Sequence, residues 1–317
     1  MPGHGQPPLS QLQLVTVTFA GYPFQDFVES FGDFVVTSQW LAAVTQDFGP
    51  ITAAHLAKVK LPASAFNSDL GSVVLNNIGG ALPYPADPTG LVYLFYQPSP
   101  CTTAGGYHST VTFNGSPVAY AVALNCGDGK SAEAVASHEI AEVLSDPYFQ
   151  GEFFDPTSAP WVGEVGDICN ESPWWIEGGF RFLAIWSNTA AAAGGSPCVP
   201  YPADHPYYNV SPSPSAPQIV PAGGSATFTL TGWSTATVSP WTVTVSADSY
   251  ATQSFDTTPS LTATTLNDGT TTQLTLHVPA GTPSGGSATV RVHSLLSDVV
   301  DGGRGFSDDW SHQIIVQ

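Results

Sequence analysis

Three side chains that can bind or activate a reactant lie within five residues of one another. His138, Glu139 and Glu142 form a His-Glu-x-x-Glu unit inside the segment 131–148. In the pattern His-Glu-x-x-His, two ligands four residues apart face a metal ion, and the intervening glutamate is the general base. Glu142 replaces the second histidine, but residues four apart still share one helical face. The unit therefore predicts a metal site that is harder and more anionic than the parent pattern.

A metallohydrolase needs three protein ligands, a water and a base, so another ligand must come from elsewhere. The segment 163–169 offers Glu164 and Asp167 just before a cysteine. His108 lies at the start of a predicted strand and is a candidate for a further ligand or for a hydrogen bond to the substrate. The predicted metal ligands are His138, Glu142, Glu164 and Asp167, and the predicted catalytic residues are Glu139 and His108.

A helix is expected to position this unit. Apolar residues recur there at helical spacing and predict a stripe that faces the core. The members of the stripe are Ala136, Ile140, Val143 and Leu144. His138 and Glu142 should point away from the stripe. Ser131 is the predicted N-cap, and Pro147 should end the helix just beyond Asp146.

Few basic residues lie near these acidic groups. Carboxylates that crowd together without Lys or Arg favour a bound cation. Zinc is the predicted ion, and a carboxylate-dominated site would also suit calcium as an additional or alternative ion. Zinc binding should weaken in acid as His138 becomes protonated.

The elements before the motif predict alternating strands and helices. Gln13–Phe19 alternates like a strand, and the segment 24–48 has the spacing of one or two helices broken near Gly32. The segment 90–96 is a predicted buried strand ended by Pro98. Two further strands, 109–113 and 118–124, should pair around Asn114-Gly115, a dipeptide typical of hairpin turns. These elements together predict an α+β unit.

The amino-acid composition changes near residue 205. A Pro/Ser-rich stretch at 211–217 is typical of a semi-rigid linker. The remaining chain of about 100 residues, with about seven short strands, predicts an immunoglobulin-like sandwich. The strand candidates are 225–231, 241–246, 273–278, 288–293 and 312–316.

Composition limits the possible partners. Six basic residues stand against 25 acidic ones, and the formal net charge of the 317 residues is -19. Nucleic acid and anionic membranes are therefore excluded as expected partners, because both need clustered Lys and Arg. No apolar stretch is long enough for a transmembrane helix. We expect a monomer acting on a polypeptide.

Cysteine usage favours an exported protein. The even number of cysteines without a Cys-x-x-Cys pair predicts two disulfides. Three pairings are possible, and the sequential pairing, Cys101–Cys126 and Cys169–Cys198, closes the shortest loops. The first ten residues lack a secretion-signal pattern. Either the protein is cytosolic or a signal has been removed, and the cysteines favour the second.

The order of these motifs resembles the EXORDIUM-like, or phosphate-induced, secreted proteins of plants and their bacterial relatives. The resemblance covers about residues 12–200. It is carried by Cys101, Gly106-Tyr107-His108, Tyr120, Cys126, the segments 137–142 and 146–147, and the segment 164–169. It implies a secreted protein with a zincin-like core and a metal centre. This chain differs from the family in having fewer cysteines and an added sandwich.

The predicted organisation is a zincin-like α+β domain at 1–205, a linker at 206–217 and an all-β immunoglobulin-like sandwich at 218–317. The predicted function is that of a secreted metal-dependent endopeptidase in which Glu139 is the base for a metal-activated water. One alternative is a non-catalytic extracellular or wall-associated binding protein with a structural cation. Another is a metal-free acidic peptidase that uses a carboxylate pair such as Glu139 and Glu164.

Overall fold

The computed structural model describes residues 8–100, 105–125, 129–148, 164–169, 172–203, 205–214, 218–248, 258–285, 287–301 and 304–316. The helices are α1 (Gln25–Val35), α2 (Gln39–Val44), α3 (Leu70–Asn77), α4 (Gly129–Ser145) and α5 (Asn188–Ala192), with 3-10 turns at Ala63–Ala65 and Asp167–Cys169. The strands of the first half are β1 (Gln11–Phe19), β2 (Thr52–Leu61), β3 (Leu91–Pro100), β4 (Gly106–Phe113), β5 (Ser116–Asn125), β6 (Trp175–Glu177), β7 (Phe180–Phe182), β8 (Ile185–Trp186) and β9 (Cys198–Val199). The later strands are β10 (Tyr208–Ser213), β11 (Gln218–Val220), β12 (Ser225–Ser234), β13 (Trp241–Asp248), β14 (Thr258–Leu261), β15 (Thr265–Leu266), β16 (Thr271–His277), β17 (Ser287–Asp301) and β18 (Arg304–Val316).

The described residues form two compact units. The first lies within 1–154, 174–189 and 197–201, and the second lies within 155–173, 190–196 and 202–317. The first unit is mixed α+β, and the second is rich in β-sheet. The coarse prediction, an α+β part followed by a sandwich-like β part, is therefore confirmed. In the described parts of the chain, no helix has the length and apolar character needed to cross a bilayer.

A five-stranded sheet organises the first unit, in the order β2-β1-β3-β5-β4. Neighbouring strands run parallel except for β4, which pairs antiparallel with β5 at the edge. One face packs against α3, and α1 and α4 pack on the sheet as well. Central strands covered on both faces are buried throughout. This layering holds α4 against the antiparallel edge strand.

The predicted hairpin between β4 and β5 is confirmed. Asn114 and Gly115 form its turn with φ of 50° and 81°, and two consecutive positive values are what a two-residue hairpin turn of this hand requires. The register then places His108 opposite Ala121 of β5. Tyr107, one residue away, faces the other side and packs edge-to-face on Tyr120.

The helix break predicted near Gly32 and the strand end predicted at Pro98 are not found at those residues. Gly32 is a buried residue within α1, and the chain leaves the helix at residues 36–38 instead. There Ser38 Oγ accepts a hydrogen bond from the Leu41 N–H (3.0 Å) and so begins α2. Pro98 does not end β3, because a register shift between Gln97 and Pro100 accommodates the prolines.

The second unit contains two β-sheets. Their orders are β10-β12-β16-β14 and β11-β18-β17-β13-β15. Both contribute to one core, with Phe228 and Leu274 from the first and Trp241 and Val290 from the second.

Part of the predicted linker 206–217 is a strand of this unit. Tyr208–Ser213 forms β10 and pairs antiparallel with β12. Tyr208 and Val210 are buried in the core of the sheets. The edge position of β10 explains why Pro212 is tolerated, since a strand there need not donate on its outer side. Proline content therefore misled the prediction at this point.

Candidate metal centre

The motif helix is buried on both sides. Its predicted stripe is confirmed, because Ala136, Ile140, Val143 and Leu144 are all inaccessible. The side that carries the motif is also covered: His138 is 9% exposed, and Glu139 and Glu142 are each 3% exposed. The helix begins two residues before the predicted N-cap Ser131, and Pro147 follows its end. The polar side of the helix is therefore a buried polar cluster.

Hydrogen bonds to two polar side chains fix the orientation of α4 about its own axis. Glu133 Oε1 accepts a hydrogen bond from the Arg181 N–H (2.7 Å), and Ser137 Oγ accepts one from the Leu183 N–H (2.9 Å). Four residues of a helix rise about 6 Å, and two residues of a strand span about 6.6 Å. Residues 133 and 137 are therefore spaced to bond with residues 181 and 183. These contacts bind α4 to the β7 segment and leave the next residue, His138, on the motif side.

The edge strand β4 brings a second histidine to the motif. His108 Nδ1 lies 3.4 Å from Glu142 Oε2 and 3.7 Å from Glu139 Oε2. His138 Nε2 lies 2.8 Å from Glu142 Oε1 on the other side of that carboxylate. Glu142 therefore lies between two imidazoles, one from its own helix and one from the sheet.

These separations fit a metal centre. The ligand atoms of His138, Glu139 and Glu142 all lie within 4.8 Å of one another. Ligand atoms around tetrahedral zinc are about 3.3 Å apart, given bonds of about 2.0 to 2.1 Å. Mixed imidazole and carboxylate donors suit zinc, whereas calcium prefers oxygen ligands alone. In the described residues, the ion-pair partners of the two carboxylates are histidines, and neither Lys nor Arg balances them.

The two carboxylates differ in acidity. Burial raises the pKa of Glu139 to about 7, and the neighbouring charge of Glu142 adds to this effect. Burial also opposes ionisation of Glu142, but His138 and then His108 outweigh it and lower its pKa to about 2. The environment therefore favours the neutral form of Glu139 and the charged form of Glu142. Such a split is typical of sites with one charge-holding and one proton-transferring carboxylate.

Two of the predicted ligands belong to the second unit. Asp167 opens the 3-10 turn Asp167–Cys169, and the Glu164 carbonyl accepts a hydrogen bond from the Ile168 N–H (3.3 Å). The ligand roles of Glu164 and Asp167 stay predictions. The predicted Cys169–Cys198 disulfide is confirmed. The other predicted pair, Cys101–Cys126, lies outside the described residues.

Sequence reasoning missed the residues that support this cluster. Glu133 and Ser137 are among them, and their signal is the four-residue spacing that puts them on one side of the helix. Gly106 lies against Glu139. A pair of glycines at the start of a strand is the signal for such a close approach.

Comparison with known proteins adds little. No protein family and no curated protein matches the chain by sequence. Domains 4 and 5 of the S-layer protein SbsC are 19% identical with a TM-score of 0.24, and the match covers 35% of this chain and 53% of that one. WR4, a C. elegans MSP family member, is 13% identical with a TM-score of 0.24, covering 34% of this chain and 97% of that one. A family 123 glycoside hydrolase from Clostridium perfringens is 11% identical with a TM-score of 0.19, covering 32% of this chain and 22% of that one.

The chain spans about half the length of the SbsC domains it matches. These likenesses are too weak to support an argument about fold or function. The EXORDIUM-like family and the zincin-like core therefore stay predictions.

Proposed function

We propose that the chain is a secreted metal-dependent endopeptidase with a zincin-like first unit and a relationship to the EXORDIUM-like proteins. The observation that carries the proposal is the buried cluster of two imidazoles and two carboxylates between α4 and the edge strand β4. Two buried carboxylates that pair only with histidines are costly to keep charged, since an imidazole balances the charge only when it is protonated. A bound divalent ion would remove that cost. The acidic surface, the disulfide and the order of the sequence motifs support secretion.

His138 and Glu142 would hold the ion, with His108, Glu164 or Asp167 as the further ligand. When bound, zinc supplies Lewis-acid chemistry, polarising a carbonyl and making water more acidic. Glu139 lies beside these groups, and burial raises its pKa, which makes it a stronger base than an exposed glutamate. It accepts the proton of the attacking water and returns it to the leaving amine nitrogen.

The outer edge of β4 favours a polypeptide substrate. The Leu124 N–H donates to the Gly105 carbonyl (2.9 Å), so the odd-numbered residues of β4 exchange hydrogen bonds with β5. The backbone groups of Gly106 and Thr110 therefore point away from β5. In the described residues, no strand pairs with that side. An extended peptide added there as a strand would pass beside Glu139.

The two alternatives make opposite predictions. A structural calcium ion suits the histidines poorly, because calcium takes oxygen ligands. A binding protein of this kind would show no turnover. A metal-free acidic peptidase would keep its activity after treatment with a chelator.

The decisive experiment measures metal content by plasma mass spectrometry and cleavage of unfolded polypeptides on the same samples. We expect about one zinc per chain in the wild type, and loss of both zinc and activity in His138→Ala. Glu139→Gln should retain zinc and lose at least about 100-fold in kcat. Glu29→Gln, the same change in α1, is the matched control and should leave both unchanged. Turnover that survives in Glu139→Gln, or a wild type without zinc, would reject the proposal.

The further ligand is identified by the same metal analysis. His108→Ala, Glu164→Ala and Asp167→Ala are compared for zinc content after dialysis against a weak chelator. The variant that loses zinc while keeping its far-ultraviolet circular dichroism identifies the ligand. A His108→Ala protein that keeps zinc but loses kcat would instead place His108 in contact with the substrate.

A further inference from the structure

Gly106 lies where β4 passes closest to the proposed base. A Cβ atom built on Gly106 would lie 2.6 Å from Glu139 Oε1, 2.5 Å from Val135 Cγ1 and 2.5 Å from the Val122 carbonyl oxygen. Non-bonded heavy atoms normally rest about 3.5 to 4.0 Å apart. No other residue type therefore fits this position without displacing one of these neighbours.

We propose that Gly106 is a positioning residue for Glu139. The missing side chain lets the carboxylate lie directly against the backbone of the edge strand. This inference rests on the proposed function, since it assumes that Glu139 is the base. It adds a residue that touches neither the metal nor the reacting atoms and acts through Glu139 alone.

The contact holds the carboxylate from the side of the sheet. Glu139 Oε2 faces His108 at 3.7 Å, while Oε1 faces the α-carbon of Gly106. The two carboxylate oxygens of Glu139 are thus positioned by Gly106 and His108, which lie two residues apart on the same face of β4. An alanine at 106 would push Oε1 away and rotate Oε2 relative to His108. Displacements of about 1 Å in such groups reduce rates by about 100-fold.

A substitution at Gly105 distinguishes an effect on the position of Glu139 from an effect on the packing of Val135. A Cβ atom on Gly105 would meet the Val135 side chain at 2.9 Å, and its three nearest atoms all belong to Val135 and none to Glu139. Gly105→Ala therefore repeats the pressure on Val135 without touching the base. The neighbouring glycines form a matched pair for the experiment.

The first test compares kinetics and metal content. Gly106→Ala should lower kcat about 10- to 100-fold, with zinc content unchanged and KM changed less than threefold. Gly105→Ala should keep kcat within about twofold. Equal losses in the two variants, or a loss of zinc in Gly106→Ala, would overturn the inference.

The second test needs no activity and stays valid if the chain is not a peptidase. The fall in melting temperature caused by Gly106→Ala is measured in the wild type, in Glu139→Ala and in Val135→Ala. If the added methyl group strikes the carboxylate, the fall should be clearly smaller once Glu139 is truncated. An equal fall in the wild-type and Glu139→Ala backgrounds would show that the methyl group is resisted by the rest of the site, and the inference would fail.

Discussion

The two edges of the five-stranded sheet use the same residue types in different ways. At the β2 edge, His55 Nδ1 lies 2.8 Å from Asp33 Oδ1 of α1, and Lys58 binds the other oxygen of Asp33. At the β4 edge, His108 faces Glu139 and Glu142 of α4. A glycine makes room for the pair in both places. A Cβ on Gly32 would lie 2.7 Å from the ring of His55 and 2.5 Å from Thr16, much as Gly106 leaves room for Glu139.

The two edges differ in how their carboxylates are paired and in how far they are exposed to water. Asp33 has a side chain that is 55% exposed and a lysine partner, so its charge is neutralised and screened. The carboxylates of α4 are buried, and in the described residues only histidines pair with them. A histidine beside a carboxylate therefore favours a bound metal ion only where no lysine or arginine pairs with the carboxylate and water is excluded. The β2 edge is an internal control for the β4 edge.

The largest expected contrast is between the two histidines. His108→Ala should reduce kcat/KM by about 10- to 100-fold or more, because it removes a group that contacts both carboxylates. His55→Ala should leave kcat/KM unchanged and lower the free energy of unfolding. Peptide cleavage and urea denaturation of both variants test this. Similar kinetic losses in the two variants would remove the distinction between the edges.

The open side of β4 is tested by removing one outward N–H. Thr110→Pro should raise KM for extended peptides by about tenfold, equivalent to one lost hydrogen bond to the substrate. The fold should persist, because proline is tolerated where an edge strand donates to nothing in its own sheet. Thr112→Pro, farther from Glu139, should have a smaller effect on KM. An unchanged KM in Thr110→Pro would show that peptides do not pair with this edge.

The β2 edge is tested at its glycine. Alanine normally stabilises a helix relative to glycine by about 0.5 to 1 kcal/mol. Gly32→Ala should instead destabilise the protein by about 1 to 3 kcal/mol, because the methyl group would overlap His55 and Thr16. Gly71→Ala in α3 is the control, since its nearest contacts are 3.2 Å away. Urea denaturation measures both, and a stabilised Gly32→Ala variant would contradict the close packing.

The smallest effect is expected from the exposed ion pair. Hydrogen bonds from Lys58 and then His55 lower the pKa of Asp33. A depressed folded-state pKa adds stability above the unfolded value of about 4, and this contribution is lost as pH falls through the folded pKa. Asp33→Asn should cost under about 1 kcal/mol at pH 7, and less in high salt. The free energies of unfolding of the wild type and the variant should become equal below about pH 4. A difference that persists there would indicate a packing effect.

The motif helix and the β4–β5 hairpin were predictable because their signals are local. The stripe of α4 follows helical spacing, and Asn114-Gly115 supports a turn with two positive φ values. The approach of His108 to Glu142 depends on strand pairing across the sheet, so the sequence supported it only as a candidate.

The remaining differences come from tertiary context. Covering both sides of α4 requires neighbours distant in sequence, such as Leu183 against Ser137. Gly32 was predicted as a break because glycine is weak in helices, but packing against His55 outweighs that propensity. Tyr208–Ser213 was predicted as a linker because of its prolines, and the burial of Tyr208 overrides them.

The two-residue turn at Asn114-Gly115 has a consequence for how this site tolerates change. Because the turn fixes the pairing of β4 with β5 and side chains on a strand alternate between faces, one residue inserted into β4 between His108 and the turn would exchange the faces of the residues before it. His108 would leave the α4 side, and Tyr107 or Ser109 would take its place. A single codon inserted between His108 and the turn would therefore dismantle the cluster without altering any of its members, and only paired insertions or a compensating bulge would preserve it.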